Sequence, residues 1–440
     1  MPDGNRRRNP LERWRERIRP YYLRAIYFPL YPAGKPPEFD RCWQPPHEFA
    51  GGPARLDIPP PHRAWPDVVI LPMTDWHHRL QRSQQLARHL AALGHRCFLL
   101  NPHLGREYPA APWRARRPAL AQLDERLFEV HAPLPREPVF HHRLLAPAES
   151  RAVFEALDWA LQRAAASQAD ILFALPTWTA AAQALRQAWG GLLAYDCHDW
   201  LAGFSNMAPE ITRAEPEAMS AADLVIFSAA GLQEHFCSAL PDIRPRCALI
   251  RNGAPDWPEP SSGRTREPVA GYLGAIEDWF WTEAVEAAAR ALPDVRFVLA
   301  GKPSEHVRRT LSSFANVVLA GEIPHREVPG LLGGFRIGLI PFRGELAPFT
   351  DPLKVYEYFH FGLPVAAGRM RELDRFASLV YQAATPEEFA RAVAAALREE
   401  DQELEAARRR EARASTWSRR AEQLHAVLME RRARSGARLS

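Results

Sequence analysis

The chain has 440 residues, 47% of them hydrophobic and 25% charged, and carries a formal net charge of +4. It is too long for one ordinary core and suits two domains of roughly 150 to 200 residues with extensions, while no apolar run approaches the roughly 20 residues that cross a bilayer. The first 24 residues hold eight arginines against Asp3, Glu12 and Glu16. That excess exceeds the whole net charge, so the rest of the chain is nearly neutral and lacks the basic body needed to track nucleic-acid phosphates.

Residues 1–62 are rich in Arg, Pro and aromatics and read as an extension without its own core. Leu11, Trp14 and Ile18 put an apolar stripe on a short arginine-rich helix that Pro20 ends, a pattern that suits an anionic membrane surface or the protein's own body. No apolar stretch follows the basic start as a secretory signal would require, so a cytoplasmic location is expected. Cys42, Cys97, Cys197, Cys237 and Cys247 form no C-x-x-C pair, which favours reduced thiols over a zinc site or a disulfide framework.

From Asp67 a βα rhythm begins. DVVILP reads as a buried strand, RLQRSQQLARHLAALG as a helix and HRCFLL as a second strand ending at Asn101. Further strands are expected at ILFAL from Ile171, LLAYD from Leu192, DLVIF from Asp223 and CALI from Cys247, which together give a first domain over residues 63–253. The proline-rich stretch 254–268 reads as a linker. The rhythm then restarts with VAGYLG, VRFVLAG, NVVLAG, RIGLIPF, LPVAAG and SLVYQA, a second domain over residues 269–385, and residues 386–440 read as helices. The expected class is α/β: two Rossmann-like, doubly wound domains facing each other across a cleft, with a basic N-terminal extension and a helical C-terminus.

The segment DPLKVYEYFHFGLPV, from Asp351 to Val365, carries the clearest local signals. Asp351 suits an N-cap, Pro352 the first helical position and Gly362 the position after the helix, and Pro364 forbids continuation. The predicted helix therefore runs from Pro352 to Phe361, and its N-terminus follows a strand end, where free N–H groups and the helix dipole favour an anion. Lys354 lies where the dipole disfavours a cation, and Glu357 about one nucleotide unit further on could accept bonds from ribose hydroxyls. The same residues also fit a solvated helix face above a core of Val355, Tyr358, Phe359 and Phe361. In the first domain, the loop after DVVILP brings Asp75, Trp76, His77, His78, Arg79 and Arg82 toward the cleft, and YDCHDW brings His198 and Asp199, which could serve as polar contacts or as a base.

PLKVYEYFHFGLPVAA resembles a segment of bacterial GT-B glycosyltransferases of the retaining, glycogen-synthase-like group. DWHHRLQRSQQLARHLAALGHRCFLL, AADLVIFSAAGLQEHF and IRNGAPDW resemble further segments of cell-surface polysaccharide transferases, so that the likeness spans most of residues 65–430. The resemblance implies that Glu357 binds the nucleotide ribose as the second Glu of an E-x7-E motif. Phe349 stands where the first Glu, which handles the transferred sugar, would be. In place of the Arg and Lys that neutralise the diphosphate after the first strand of the C-terminal domain, this chain has Glu277 and Asp278. Lys354, helped by Arg343, is then the expected diphosphate cation, with Gly274 allowing close approach and Pro352, Leu353 and Ile323 completing the nucleotide site.

The implied reaction moves a sugar from a nucleoside diphosphate sugar to the hydroxyl of a glycan or lipid-linked acceptor, with His198 or Asp199 as the catalytic candidates. Asp75, Trp76, Arg79 and Arg82 are the candidates for acceptor or phosphate contacts. No resident cofactor or metal is expected, since the donor is a substrate and no D-x-D motif occurs. A dinucleotide dehydrogenase is disfavoured, because PMTDWHH stands where G-x-G-x-x-G would be needed. A noncatalytic scaffold of the same fold and a sugar-nucleotide epimerase are the alternatives.

Overall fold

The computed structural model describes residues 56–74, 76, 80–101, 118–134, 143–204, 207–260, 267–323 and 325–435. The arginine-rich helix expected near residues 11–20 and the loop positions Asp75, His77, His78 and Arg79 lie outside the described residues.

The first sheet begins with β1 (Asp67–Leu71), buried along its whole length as a central parallel strand must be. Helix α1 (Arg82–Leu93) follows, stopped by Gly94 at φ +113°, a conformation open chiefly to glycine. Next come β2 (Cys97–Leu100), β3 (Ala119–Asp124), β4 (Leu127–His131), α2 (Pro147–Arg163), β5 (Ala169–Phe173), α3 (Thr179–Trp189), β6 (Gly190–Cys197), α4 (Pro209–Ala221), β7 (Leu224–Phe227), α5 (Ala230–Ala239) and β8 (Cys247–Leu249). Their order across the sheet is β3-β4-β2-β1-β5-β6-β7-β8. Every pair is parallel except the β3–β4 hairpin, which the sequence reading did not anticipate. In β3 apolar residues share a short edge strand with Gln122 and Asp124, so it lacks the uninterrupted apolar run that marks its neighbours.

The second sheet is built from β9 (Val269–Leu273), α6 (Thr282–Ala291), β10 (Arg296–Ala300), α7 (Glu305–Leu311), β11 (Val317–Gly321), α8 (Val328–Gly333), β12 (Ile337–Ile340), α9 (Leu353–His360), β13 (Val365–Gly368) and β14 (Val380–Ala383). All its pairs are parallel, in the order β11-β10-β9-β12-β13-β14. Three further helices end the described chain: α10 (Pro386–Arg398), α11 (Gln402–Ala414) and α12 (Trp417–Ser435).

These last helices divide between the domains. α10 packs on α6 and α11 on α9, within the second domain, whereas α12 returns to α1. Trp417, Ala421, Leu424 and Leu428 of α12 are buried in one apolar cluster with Val68, Ile70, Leu86 and Leu90. Burying side chains of this kind stabilises by about 1.5–3 kcal/mol each, so α12 is integral to the first domain's core. The chain therefore passes between domains twice, and the two passages touch: Ala254 N–H donates to the Ser415 carbonyl at 2.7 Å and Trp417 N–H to the Ala254 carbonyl at 3.0 Å. Among the described residues no helix is long and apolar enough to cross a membrane.

Candidate functional site

At the start of α9, Asp351 does not cap the helix. The first helical residue is Leu353, and Pro352 holds the cap position, where its side chain makes no capping bond. The Asp351 carboxylate is turned inward and buried, where it accepts bonds from the Asn252 N–H (2.8 Å), the Tyr356 hydroxyl (2.8 and 3.0 Å) and Arg375 (3.0 Å). Tertiary partners have overridden the local capping preference. The consequence is that the Asp351 carboxylate does not occupy the first N–H groups of α9. At the other end Gly362 adopts φ +67°, as expected after a helix.

Lys354 is the second residue of α9. Its ammonium lies 5.1 Å from the Tyr272 ring centre and 4.9 Å from that of Phe342, two aromatic faces that attract a cation. Gly274, at φ +135°, makes room for it, since a β-carbon there would come within 2.7 Å of Nζ and 2.8 Å of Cε. Glu357 lies one turn along the helix and is half-buried. Burial pushes its carboxyl up to about 7 against the pull of Lys354. Lys354, Glu357 and Gly274, separated by up to 83 positions in sequence, thus meet at the carboxyl edge of the second sheet.

Across the cleft, β6 ends at Cys197 and delivers His198 and Asp199. His198 Nδ1 lies 3.1 Å from the Asp196 carbonyl oxygen, and Nε2 lies 3.8 Å from Asp199 Oδ2. Burial raises the Asp199 carboxyl above the ordinary range, while His198, Arg82 and Lys354 oppose that rise. The charge of Lys354 is therefore felt by carboxylates on both walls of the cleft. Arg82 is 1% exposed. Its Nε donates to both Asp196 oxygens at 3.0 Å and its Nη1 to Asn252 Oδ1 at 3.2 Å, so it underlies the loop and is not presented at its surface. Trp76 packs on the same apolar cluster as Leu353, and Pro352 is buried beside it in sequence. Asp75 and Arg79 lie outside the described residues.

The remaining expected residues are dispersed. Arg343 is exposed and donates to Glu283 at 2.9 Å; both line a cavity of about 470 Å³ with Glu277, Asp278 and Ser304. Ile323 follows β11 and packs, partly buried, on the second domain's core. Phe349 crosses the interface, its ring 4.6 Å from Trp200 and 5.4 Å from His235 of the first domain. Pro348 approaches α5 closely because Gly231 has no side chain: a β-carbon there would lie 2.1 Å from the Pro348 oxygen.

Sequence reasoning missed Asp196, Asn252, Glu372 and Trp200. Glu372 receives the Ala230 N–H of the first domain at 2.5 Å and Arg251 at 2.9 Å. Asp196 and Trp200 lie within YDCHDW and Asn252 is the Asn of the N-G turn, segments already singled out, and this is the only signal that could have found them. Among the described residues no group of three or more His, Cys, Asp or Glu is placed to hold a metal ion.

Residues 280–426 match the family model described as glycosyl transferase-like. No curated protein matches the chain in sequence. Solved structures match over nearly their whole length. A sucrose-phosphate synthase from Thermosynechococcus elongatus is 16% identical with a TM-score of 0.62, covering 83% of this chain and 99% of its own. Anabaena HepE in complex with UDP and glucose is 14% identical with a TM-score of 0.57, covering 83% and 100%. An alpha,alpha-trehalose-phosphate synthase (UDP-forming) from Burkholderia vietnamiensis is 14% identical with a TM-score of 0.56, again covering 83% and 100%. At such identities the structural likeness shows the fold. The chain has the two-domain GT-B fold, and its residues 280–426 carry the sequence pattern of the glycosyl transferase-like family.

Proposed function

We propose that this protein is a glycosyltransferase that takes a nucleoside diphosphate sugar as donor and an acceptor hydroxyl as its second substrate. The observation that carries this reading is the pairing of Lys354 and Glu357 on α9, with the Asp351 carboxylate turned away from the helix N-terminus. The N–H groups and Lys354 suit a diphosphate, and Glu357 suits the two ribose hydroxyls. HepE, whose solved complex holds UDP and glucose, shares the fold, and the glycosyl transferase-like match spans α9.

In this reading the leaving diphosphate is stabilised by the helix N-terminus and Lys354, a preorganised positive site that needs no metal clamp. Asp199, whose carboxyl burial raises above the ordinary carboxylate range, and the adjoining His198 are read as the groups that meet the acceptor. Trp76 and Arg82 support this wall from beneath, and Pro352 and Leu353 lead into the donor helix, whereas Arg343 and Ile323 are given no donor contact. The acceptor is read as a glycan or lipid-linked saccharide in surface polysaccharide or glycoconjugate synthesis. Support for this comes from the sequence resemblance and from the arginine-rich start, which suits the inner face of a membrane.

The experiment is to incubate the full chain with a panel of labelled nucleotide sugars and membrane extract. Label should move from one donor into an extractable acceptor. Nucleotide binding without transfer from any donor would favour a noncatalytic scaffold, and an isomerised donor would mark an epimerase. For the donor site, Gly274→Ala should cost about 1–3 kcal/mol of stability from backbone strain. It should also weaken UDP binding by about tenfold or more, because the new methyl group displaces the Lys354 ammonium. Calorimetric titration with UDP measures this, and unchanged affinity would remove Lys354 from the diphosphate site.

A further inference from the structure

Between the two walls of the cleft runs an unbroken line of buried polar groups. It starts at Asp351, three residues before Lys354. Asn252 reads Asp351 twice, donating its backbone N–H to Oδ2 at 2.8 Å and its side-chain Nδ2 to the carbonyl oxygen at 2.7 Å. The Asn252 side-chain oxygen accepts from Arg82 Nη1 at 3.2 Å, and Arg82 Nε donates to both oxygens of Asp196 at 3.0 Å. Asp196 is three residues before Asp199 and holds His198 through its carbonyl oxygen. Asn252 is 7% exposed, and Asp351, Arg82 and Asp196 are each 2% or less. With water excluded, each of these bonds fixes its partner's position, and losing one leaves a buried donor or acceptor unmatched.

We infer that Asn252 and Arg82 are positioning residues that couple occupancy of the nucleotide site on α9 to the placement of the His198–Asp199 loop in the opposite domain. This rests on the nucleotide reading given above. The line links backbone just ahead of the diphosphate cation to backbone just ahead of the acceptor-side carboxylate. A ligand that draws α9 toward itself therefore moves Asp351, and the rigid Asn252–Arg82–Asp196 array carries that displacement to His198 and Asp199. Neither Asn252 nor Arg82 touches the nucleotide in this arrangement. Their substitution should separate two responses that the intact chain gives together.

A contiguous network becomes coupling only when the two ends respond to one ligand, so the test is a two-site one. UDP, ADP and GDP are screened by thermal shift, and hydrogen exchange is then followed with the nucleotide that binds. In the intact chain that nucleotide should slow exchange in peptides covering residues 353–360 and 196–204, each by about threefold or more. In Asn252→Ala, which retains its backbone bond to Asp351, protection of 353–360 and the nucleotide-induced thermal shift should persist while protection of 196–204 is lost. Arg82→Lys keeps a charge beside Asp196 but removes the Nη1 donor, and should give the same separation; it replaces Asn252→Ala should that variant fail to fold. Full protection of 196–204 in the folded variant would overturn the inference, as would loss of protection at both segments together. If the intact chain binds none of the three nucleotides, the donor-site reading itself falls and the inference falls with it. If it binds one but protects 353–360 alone, the inference is overturned and the donor site stands.

Discussion

Glu357→Gln should abolish stabilisation of the protein by UDP and, without nucleotide, make it more stable at pH 8. The two effects have one cause. Burial at the cleft holds the Glu357 carboxyl at about 7, against an unfolded value of 4.5. Between those values the folded chain binds more protons than the unfolded one, so stability falls as pH rises from about 4.5 through about 7 and is level above. Glutamine removes that linked cost, on the order of 3 kcal/mol at pH 8, and removes almost none at pH 4. Ligand binding moves the other way: in the proposed donor site the ionised carboxylate would accept both ribose hydroxyls, and charged hydrogen bonds of this kind contribute about 1.5–3 kcal/mol each. UDP affinity should therefore rise through pH 7 in the natural protein and be at least about 100-fold weaker, with little pH dependence, in the variant. Melting curves with and without UDP at pH 5 and pH 8 test both halves. A variant that binds UDP normally would move the ribose contact elsewhere.

Asp351→Ala, six residues earlier, should do the opposite to the unliganded protein. The change strips a carboxylate from the Asn252 N–H, the Tyr356 hydroxyl and Arg375, all at 2.8 to 3.0 Å, in a site closed to solvent. Removing one partner of a buried charged cluster typically costs about 3–5 kcal/mol, because the remaining groups stay desolvated without compensation. In a urea titration the midpoint should fall by a corresponding amount, and the loss should be present at pH 8, where Glu357→Gln gains. A loss below about 1 kcal/mol would mean that water replaces the carboxylate and that the domain junction is softer than its geometry suggests.

These two carboxylates differ in how far the local sequence reaches them. Glu357 is singled out by its distance along α9 and by the family resemblance, both of which depend on local order, and its role as the ribose contact rests on the UDP test above. Asp351 was misread as a helix cap because its physical partner, Asn252, lies 99 residues away and nothing in the local pattern points to it. The strands of both sheets were legible for a simple reason. Parallel strands covered on both faces are continuous apolar runs, as in Asp67–Leu71 and Val365–Gly368, and glycine or proline brackets them. The β3–β4 hairpin was not, since one of its strands lies on an edge with Gln122 and Asp124 breaking its apolar run. Phe349 could be read only as a departure from a motif, whereas the structure gives it partners of its own, Trp200 and His235, across the domain boundary.

The return of α12 to the first domain bears on how the halves can move. A single linker would leave the second domain free to swing and twist about a tether. Two passages bonded side by side at Ala254, Ser415 and Trp417 act as a door on two pins, restricting the motion largely to opening and closing about one axis. Any relative motion of the walls that carry Lys354 and Asp199 would then follow one path, and each return would restore the same alignment. The same feature means the molecule cannot be divided into independent halves by cutting at the linker: a fragment ending near residue 260 would lack the helix that completes its own core.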